Sequence, residues 1–156
     1  MELIPASEFS YEQLVDAYNQ TRVDYLVPMP MNVARLQEYI RVNDIQLERS
    51  AVALKGEMML GLGMLGVRNG RSWISRLGVL PDGRRQGTGQ AIVDQLMNHS
   101  YQLAVAAVWL EVIKGNVPAH TLFCNCGFAE TRELIVARRP PNLHAEIPDD
   151  VRVKSV

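Results

Sequence analysis

The residues best suited to chemistry stand together at 77–91, where Leu77-Gly78-Val79-Leu80-Pro81 leads into Arg84-Arg85-Gln86-Gly87-Thr88-Gly89-Gln90-Ala91. An apolar run enters a turn, two glycines follow two residues apart, and a helical pattern begins at once. Glycines at such a place let backbone approach a ligand closely. The first amides of a helix lack an intrahelical acceptor, and the helix dipole adds positive potential there. Together they suit phosphate oxygens. Arg84 and Arg85 add charge at the rim, which favours a pyrophosphate over a lone carboxylate. The dinucleotide fingerprint does not fit, because its third glycine is missing and the segment comes late in the chain. A Walker-type loop is also excluded, since Gly89-Gln90-Ala91 stands where Gly-Lys-Ser/Thr is needed. A tight turn with solvated arginines is the plainer reading of the same residues.

A second candidate is Glu111, within the apolar run AAVWLEVI at 106–113. A carboxylate in such a strand is costly unless something pairs with it or uses it. The competing reading is a strand glutamate that meets an arginine or reaches solvent. His120 reads as an exposed or capping histidine, and His99 and His144 have no partners that suggest chemistry. Cys124 and Cys126 are too few for a disulfide framework, and a four-ligand zinc site would need two further partners. No metal ligands are assigned.

The elements that must position these groups follow from periodicity. MELIPA reads as a short edge strand. Leu14, Val15 and Tyr18 are at helical spacing within 10–20. Two prolines make YLVPMPM (25–31) an apolar loop. Asn32 caps a helix over 32–43 with Val33, Leu36, Tyr39 and Ile40 on one face. The runs 50–54, 58–67 and 72–80 are strands, and Asn69-Gly70 is a hairpin turn of the type that needs positive φ twice. A helix over 88–103, a strand over 106–113, and a short helix over 116–126 come next. Asn116 caps that helix, Pro118 lies in its first turn, and Gly127 ends it. FAETRELIVARR (128–139) is a last strand, stopped by Pro140-Pro141. The order β α α β β β α β α β predicts a mixed sheet of about six to seven strands with about four helices on its two faces, an α/β (α+β) fold.

The bulk properties fit one domain over 1–139 with a polar tail at 140–156. The 156 residues are 47% hydrophobic and 21% charged, and sixteen basic against seventeen acidic residues leave a net charge of −1. No basic excess points to nucleic acid. No apolar run approaches the length of a membrane span, and the first residues lack the pattern of a secretory signal. The expectation is a cytoplasmic protein with neither nucleic-acid nor membrane partners.

Two motifs in sequence carry a family resemblance. Arg84-x-x-Gly87-x-Gly89, after the strand Leu77-Gly78-Val79-Leu80-Pro81, resembles the acetyl-CoA pyrophosphate loop of the GNAT acetyltransferase superfamily. Leu110-Glu111-Val112, then Asn116-x-x-Ala119-x-x-Leu122-Phe123-x-x-x-Gly127-Phe128, resembles its second motif. The style of the motifs is closest to ribosomal-protein N-terminal alanine acetyltransferases. The resemblance covers about 1–138 and implies the GNAT fold, acetyl-CoA as co-substrate, and direct transfer of acetyl to the primary amine of a small molecule or peptide, without an acyl-enzyme or a metal. Backbone groups of Leu77 and Val79, with Gly78 between them, would meet the pantetheine arm where the fourth and fifth strands part. The amides of Arg84, Arg85, Gln86, Gly87, Thr88 and Gly89 would hold the pyrophosphate. Asn116 would contact the lower arm or simply cap its helix.

The same resemblance makes Glu111 the base that takes the amine proton, twelve residues before Phe123, and a backbone N–H near Val79 the oxyanion donor. Many relatives have a tyrosine at Phe123, whose hydroxyl protonates the leaving thiolate. Phe123 retains the ring at the cofactor site and lacks the donor, and with Ala119, Leu122 and Cys126 it also reads as core. Protonation by water or by the departing ammonium then replaces the tyrosine. Relatives often place a glutamate near Ser75 or Arg76; here Arg76 either meets an acidic acceptor or is a solvated strand arginine. By analogy, acceptor choice lies in the first two helices and the loop Tyr25–Met31. Its apolar wall suits an apolar amine or a peptide N-terminus better than an aminoglycoside, unless the loop only packs on the core or a dimer mate. A homodimer through the last strand or the tail is a further expectation. The rival from another class is a non-catalytic acyl-CoA-binding sensor or structural subunit.

Overall fold

The computed structural model describes residues 1–136. Its sheet has five strands in the order β1-β2-β3-β4-β5: β1 (Glu2–Pro5), β2 (Ala51–Lys55), β3 (Met58–Arg68), β4 (Arg71–Val79) and β5 (Ala107–Leu110). The first four pair antiparallel, and β5 joins β4 in parallel. The turn at Asn69 and Gly70 has φ of 51° and 69°, the doubly left-handed hairpin expected of that pair.

Helices cover both faces. α1 (Tyr11–Gln20) and α2 (Val33–Val42) bury Leu14, Tyr18 and Leu36 against Val52, Leu62 and Met64. On the other face α3 (Thr88–Gln102) and α4 (Val117–Asn125) bury Ile92, Val93, Leu96 and Phe123 against Ala53, Leu65 and Ile74. The two faces alternate along β3 from Gly61 to Val67, and the register shift against β2 just before Gly61 turns Leu60 to the α3 side. Gly61 and Gly63 lie under α3, and a Cβ at Gly63 would stand 2.7 Å from Ile92. Glycine is needed there because the helix sits directly on the strand.

Capping explains the helix starts. Ser10 and Gln13 form a reciprocal capping box on α1, and Asn32 accepts from the Arg35 amide on α2. Asn116 accepts from the Ala119 amide, 3.3 Å away, as a cap for α4.

Two expectations need correction. The sheet has five strands among the described residues, fewer than six to seven, because 128–136 forms no ladder; residues 137–139 of that expected strand lie outside the described residues, as does the tail. Alternating β-formers supply suitable side chains, but a strand exists only where a neighbour pairs with it. The fifth strand is also shorter than 106–113. Its pairing with β4 ends at Ile74 and Leu110, so Glu111 lies beyond the strand and is exposed. The expected burial of its carboxylate inside an apolar strand is not found.

Candidate active site

The site grows from an irregularity in β4. Leu62 faces Gly78 and Met64 faces Ser75, so β4 holds one residue more than β3 between those pairs. Arg76 takes the strain with φ of 52°. A bulge bends its strand and sharpens the twist, and here it falls just past the last residue paired with β5. From Ser75 to Val79 the β5-side edge of β4 is therefore unpaired. The Leu80 amide donates to Leu60 on β3, 2.8 Å away, so strand alternation turns Leu77 and Val79 to the open side. Both carbonyls there are met by guanidinium groups. Arg22 Nη2 donates to Leu77 O over 2.9 Å, and Arg84 Nε donates to Val79 O over 3.2 Å.

Gly78 makes a close approach possible on the far side. A Cβ at that position would lie 2.3 Å from Thr21 Oγ1, so only glycine lets the end of α1 rest on β4. Thr21 is itself anchored, its hydroxyl donating to Tyr18 O over 2.7 Å.

After β4 the chain makes a short 3-10 turn at Pro81–Gly83 and reaches α3. Gly87, with φ of 79°, is the N-cap of α3, and no side chain caps the helix. The Ala91 amide is the first to find its intrahelical acceptor, Gly87 O. The amides before it are left for an external acceptor. A Cβ at Gly87 would have nothing within 4 Å, so the turn is open at the start of the helix. Thr88 is buried, and its hydroxyl oxygen has no partner among the described residues. Uncapped amides, an orphaned hydroxyl and open space are what a pyrophosphate needs. Gly89 has a different role from Gly87, since a Cβ there would come within 3.0 Å of Leu122; it lets α3 pack on α4.

The charges at the rim are arranged unequally. Arg85 is exposed. Arg84 forks onto Asp24 through Nη1 and Nη2 at 2.5 and 2.7 Å, tying the loop after α1 to the loop before α3. The Arg84 guanidinium holds the Asp24 carboxyl below the usual carboxylate range, and Asp24 in turn raises Arg84.

The predicted site residues thus fall into separate groups. Leu77, Gly78, Val79 and 84–89 come together along the open edge and the start of α3. Asn116 lies across from them, its Nδ2 donating over a long 3.5 Å to the Tyr25 hydroxyl. Phe123 is buried and meets Phe128 edge-to-face at 6.1 Å, the core position that its helical spacing suggested. Sequence reasoning missed Arg22 and Asp24, which follow α1 with no motif to mark them, and placed Tyr18 only at helical spacing with Leu14 and Val15.

A bulged strand with one open edge thus runs into a helix whose first amides are uncapped, within an α/β fold. The pattern of the acetyltransferase (GNAT) family matches residues 12–128, and the chain belongs to that family. It is 39% identical over 54 residues to the [ribosomal protein bS18]-alanine N-acetyltransferase of Escherichia coli strain K12. That stretch spans 35% of this chain and only 36% of the relative. The crystal structure of the Escherichia coli ribosomal-protein-S18-alanine N-acetyltransferase superposes with a TM-score of 0.67 at 22% identity, over 84% of this chain and 79% of that one. A Mycobacterium tuberculosis protein, Rv2747, solved in complex with CoA, gives 0.60 at 23% identity over 88% and 76%. At these identities the two structures establish a shared fold.

Proposed function

We propose that the protein is an acetyl-CoA-dependent N-acetyltransferase acting on the primary amine of a small molecule or a peptide. The observation that carries this reading is the junction of the unpaired β4 edge with the uncapped, open N-terminus of α3. GNAT acetyltransferases use acetyl-CoA, and a structural neighbour holds CoA. The amides at the start of α3, with the Thr88 hydroxyl, would hold the pyrophosphate. Leu77 and Val79 would present their backbone groups to the pantetheine arm, in place of the guanidinium contacts that now occupy their carbonyls.

In the transfer the amine nitrogen bonds to the thioester carbonyl carbon and the carbon–sulfur bond breaks. The amine gives up a proton and the thiolate gains one, leaving the amide and free CoA. Glu111 is the base in this reading. Its exposure past β5 supports access to water and substrate, and a general base typically contributes ~10² to 10⁴ in rate. A backbone N–H on the open edge of β4 faces the developing oxyanion. Phe123 has no proton to offer the thiolate, so water or the departing ammonium supplies it.

Phe123 is also what favours a second reading, a non-catalytic acyl-CoA-binding sensor or structural subunit. Both readings place acetyl-CoA in the same slot and differ in turnover. Action in the cytoplasm and a homodimer through the segment after α4 belong to the same proposal; Leu134, Ile135 and Val136 are all exposed there. No helix among the described residues is long and apolar enough to cross a membrane.

The deciding experiment is a calorimetric titration with acetyl-CoA and with CoA. Micromolar binding that disappears in Gly87→Glu is expected, because the new carboxylate would enter the anion site. No binding at millimolar concentration would overturn the cofactor site and the enzyme reading with it.

A further inference from the structure

Two arginines and three tyrosines gather where β4 turns away from β5. Arg76 Nη1 donates to the Tyr18 hydroxyl over 3.1 Å, and its guanidinium lies 4.1 Å from the Tyr39 ring centre. Arg22 lies 4.1 Å from the Tyr25 ring and 4.9 Å from that of Tyr18, besides its bond to Leu77 O. Tyr18 is shared by both guanidinium groups.

Neither charge is neutralised. Arg41, Arg68 and Arg84 each face a carboxylate, whereas among the described residues Arg22 and Arg76 face none. Their Nε atoms and the Ser75 hydroxyl are buried without hydrogen-bond partners. Two half-buried like charges around one ring, with donors unused, are unfavourable unless an anion completes them. Aromatic stacking holds each guanidinium plane, and a guanidinium held in this way matches a carboxylate in a two-bond fork.

The location assigns the anion to the acceptor. A pyrophosphate at the start of α3 lies beyond Val79, so a cofactor arm laid along the open edge runs back towards Ser75. The reacting end of the arm then arrives beside Arg22 and Arg76.

Resting on the acetyltransferase reading above, we propose that the acceptor is a small amine that carries a carboxylate, an amino acid or a close analogue, and that Arg22 and Arg76 select it. The two cations also disfavour an ammonium beside them, which helps the acceptor present the neutral amine that attacks. Polycationic acceptors are repelled by the same field.

The test compares CoA release from acetyl-CoA with the proteinogenic amino acids, each beside its own α-carboxamide, and with short peptides of neutral and acidic sequence. At least one amino acid should exceed its carboxamide by ~10-fold or more in kcat/KM, as expected for hydrogen bonds to a charged group. Arg76→Gln should remove that preference mainly through KM, with acetyl-CoA binding unchanged by calorimetry, and Arg76→Lys should restore part of it. A circular-dichroism melt of each variant separates misfolding from lost selectivity, and Arg22→Gln gives an independent second case. Equal use of acids and carboxamides, turnover of peptides alone, or acetyl-CoA binding without turnover of any member would overturn the proposal. Failure to bind acetyl-CoA at all would instead overturn the acetyltransferase reading on which it rests.

Discussion

Glu111, Phe123 and Arg76 show how differently single residues respond to their surroundings. Glu111 stands one residue past β5 and is exposed, so nothing in its burial forces a role upon it. Its place in the proposed reaction rests on the Leu110-Glu111-Val112 motif and on its position at the parting of the strands. Glu111→Gln is expected to lower the amine-saturated rate at neutral pH by ~10² to 10⁴, with acetyl-CoA affinity nearly unchanged. Stopped-flow CoA release and calorimetry on the same preparation check this, and an unaltered rate would remove Glu111 from the base role. Phe123, in contrast, is explained by packing alone. Arg76 reads in the sequence as either a solvated strand arginine or a partner for an acidic acceptor. Its left-handed backbone, its two tyrosine contacts and its unpartnered Nε favour the second.

Among the elements, β4 does the most to create the site. Its bulge ends the pairing with β5 and exposes Leu77 and Val79, while Gly78 accepts the end of α1 on the same stretch. Gly78→Ala would drive a methyl group into Thr21 and is expected to cost about 1–3 kcal/mol of stability, the range for overpacking. A denaturant melt would read this as a lower midpoint at unchanged slope, and a wild-type midpoint would show that α1 can shift away freely. The helices were legible in advance because their signals are local: Ser10, Asn32 and Asn116 cap where they stand. The bulge was not legible. It arises from mismatched lengths in two paired strands, and no residue type at Ser75 or Arg76 announces it. The apolar run at 106–113 had enough β-formers for eight positions, yet its partner turns away after Ile74 and only four residues pair.

At the scale of the whole molecule, the segment between α1 and α2 is tied down at both ends. Asn19 exchanges two hydrogen bonds with the backbone of Met31, at 2.9 and 3.0 Å, and pins the far end of that loop to α1. The near end is held by Asp24 and Arg84. Because Arg84 keeps the folded-state value of Asp24 below its ordinary one, the stabilisation from this pair is fully present above the usual carboxylate range. It fades as pH falls through the depressed value. Asp24→Asn should therefore lower the melting temperature at pH 7 slightly and flatten its decline in acid. Thermal melts of both proteins between neutral pH and pH 3 check this, and parallel curves would show that the pair does not contribute.

The order of the elements through α4, the hairpin at Asn69-Gly70, the caps, and the expectation of an anion loop at 84–89 all follow from the sequence. Each depends on a few adjacent residues and on backbone rules that act within one turn or one strand. The tertiary structure alone decided where β4 and β5 separate and how many strands pair. It also decided that Glu111 lies outside the sheet and that Arg22, from the end of α1, meets Leu77 O, fifty-five positions along the chain. Those contacts depend on strand register and on helices crossing a twisted sheet. Residues distant in sequence therefore acquire their chemical neighbours only when the whole sheet is assembled.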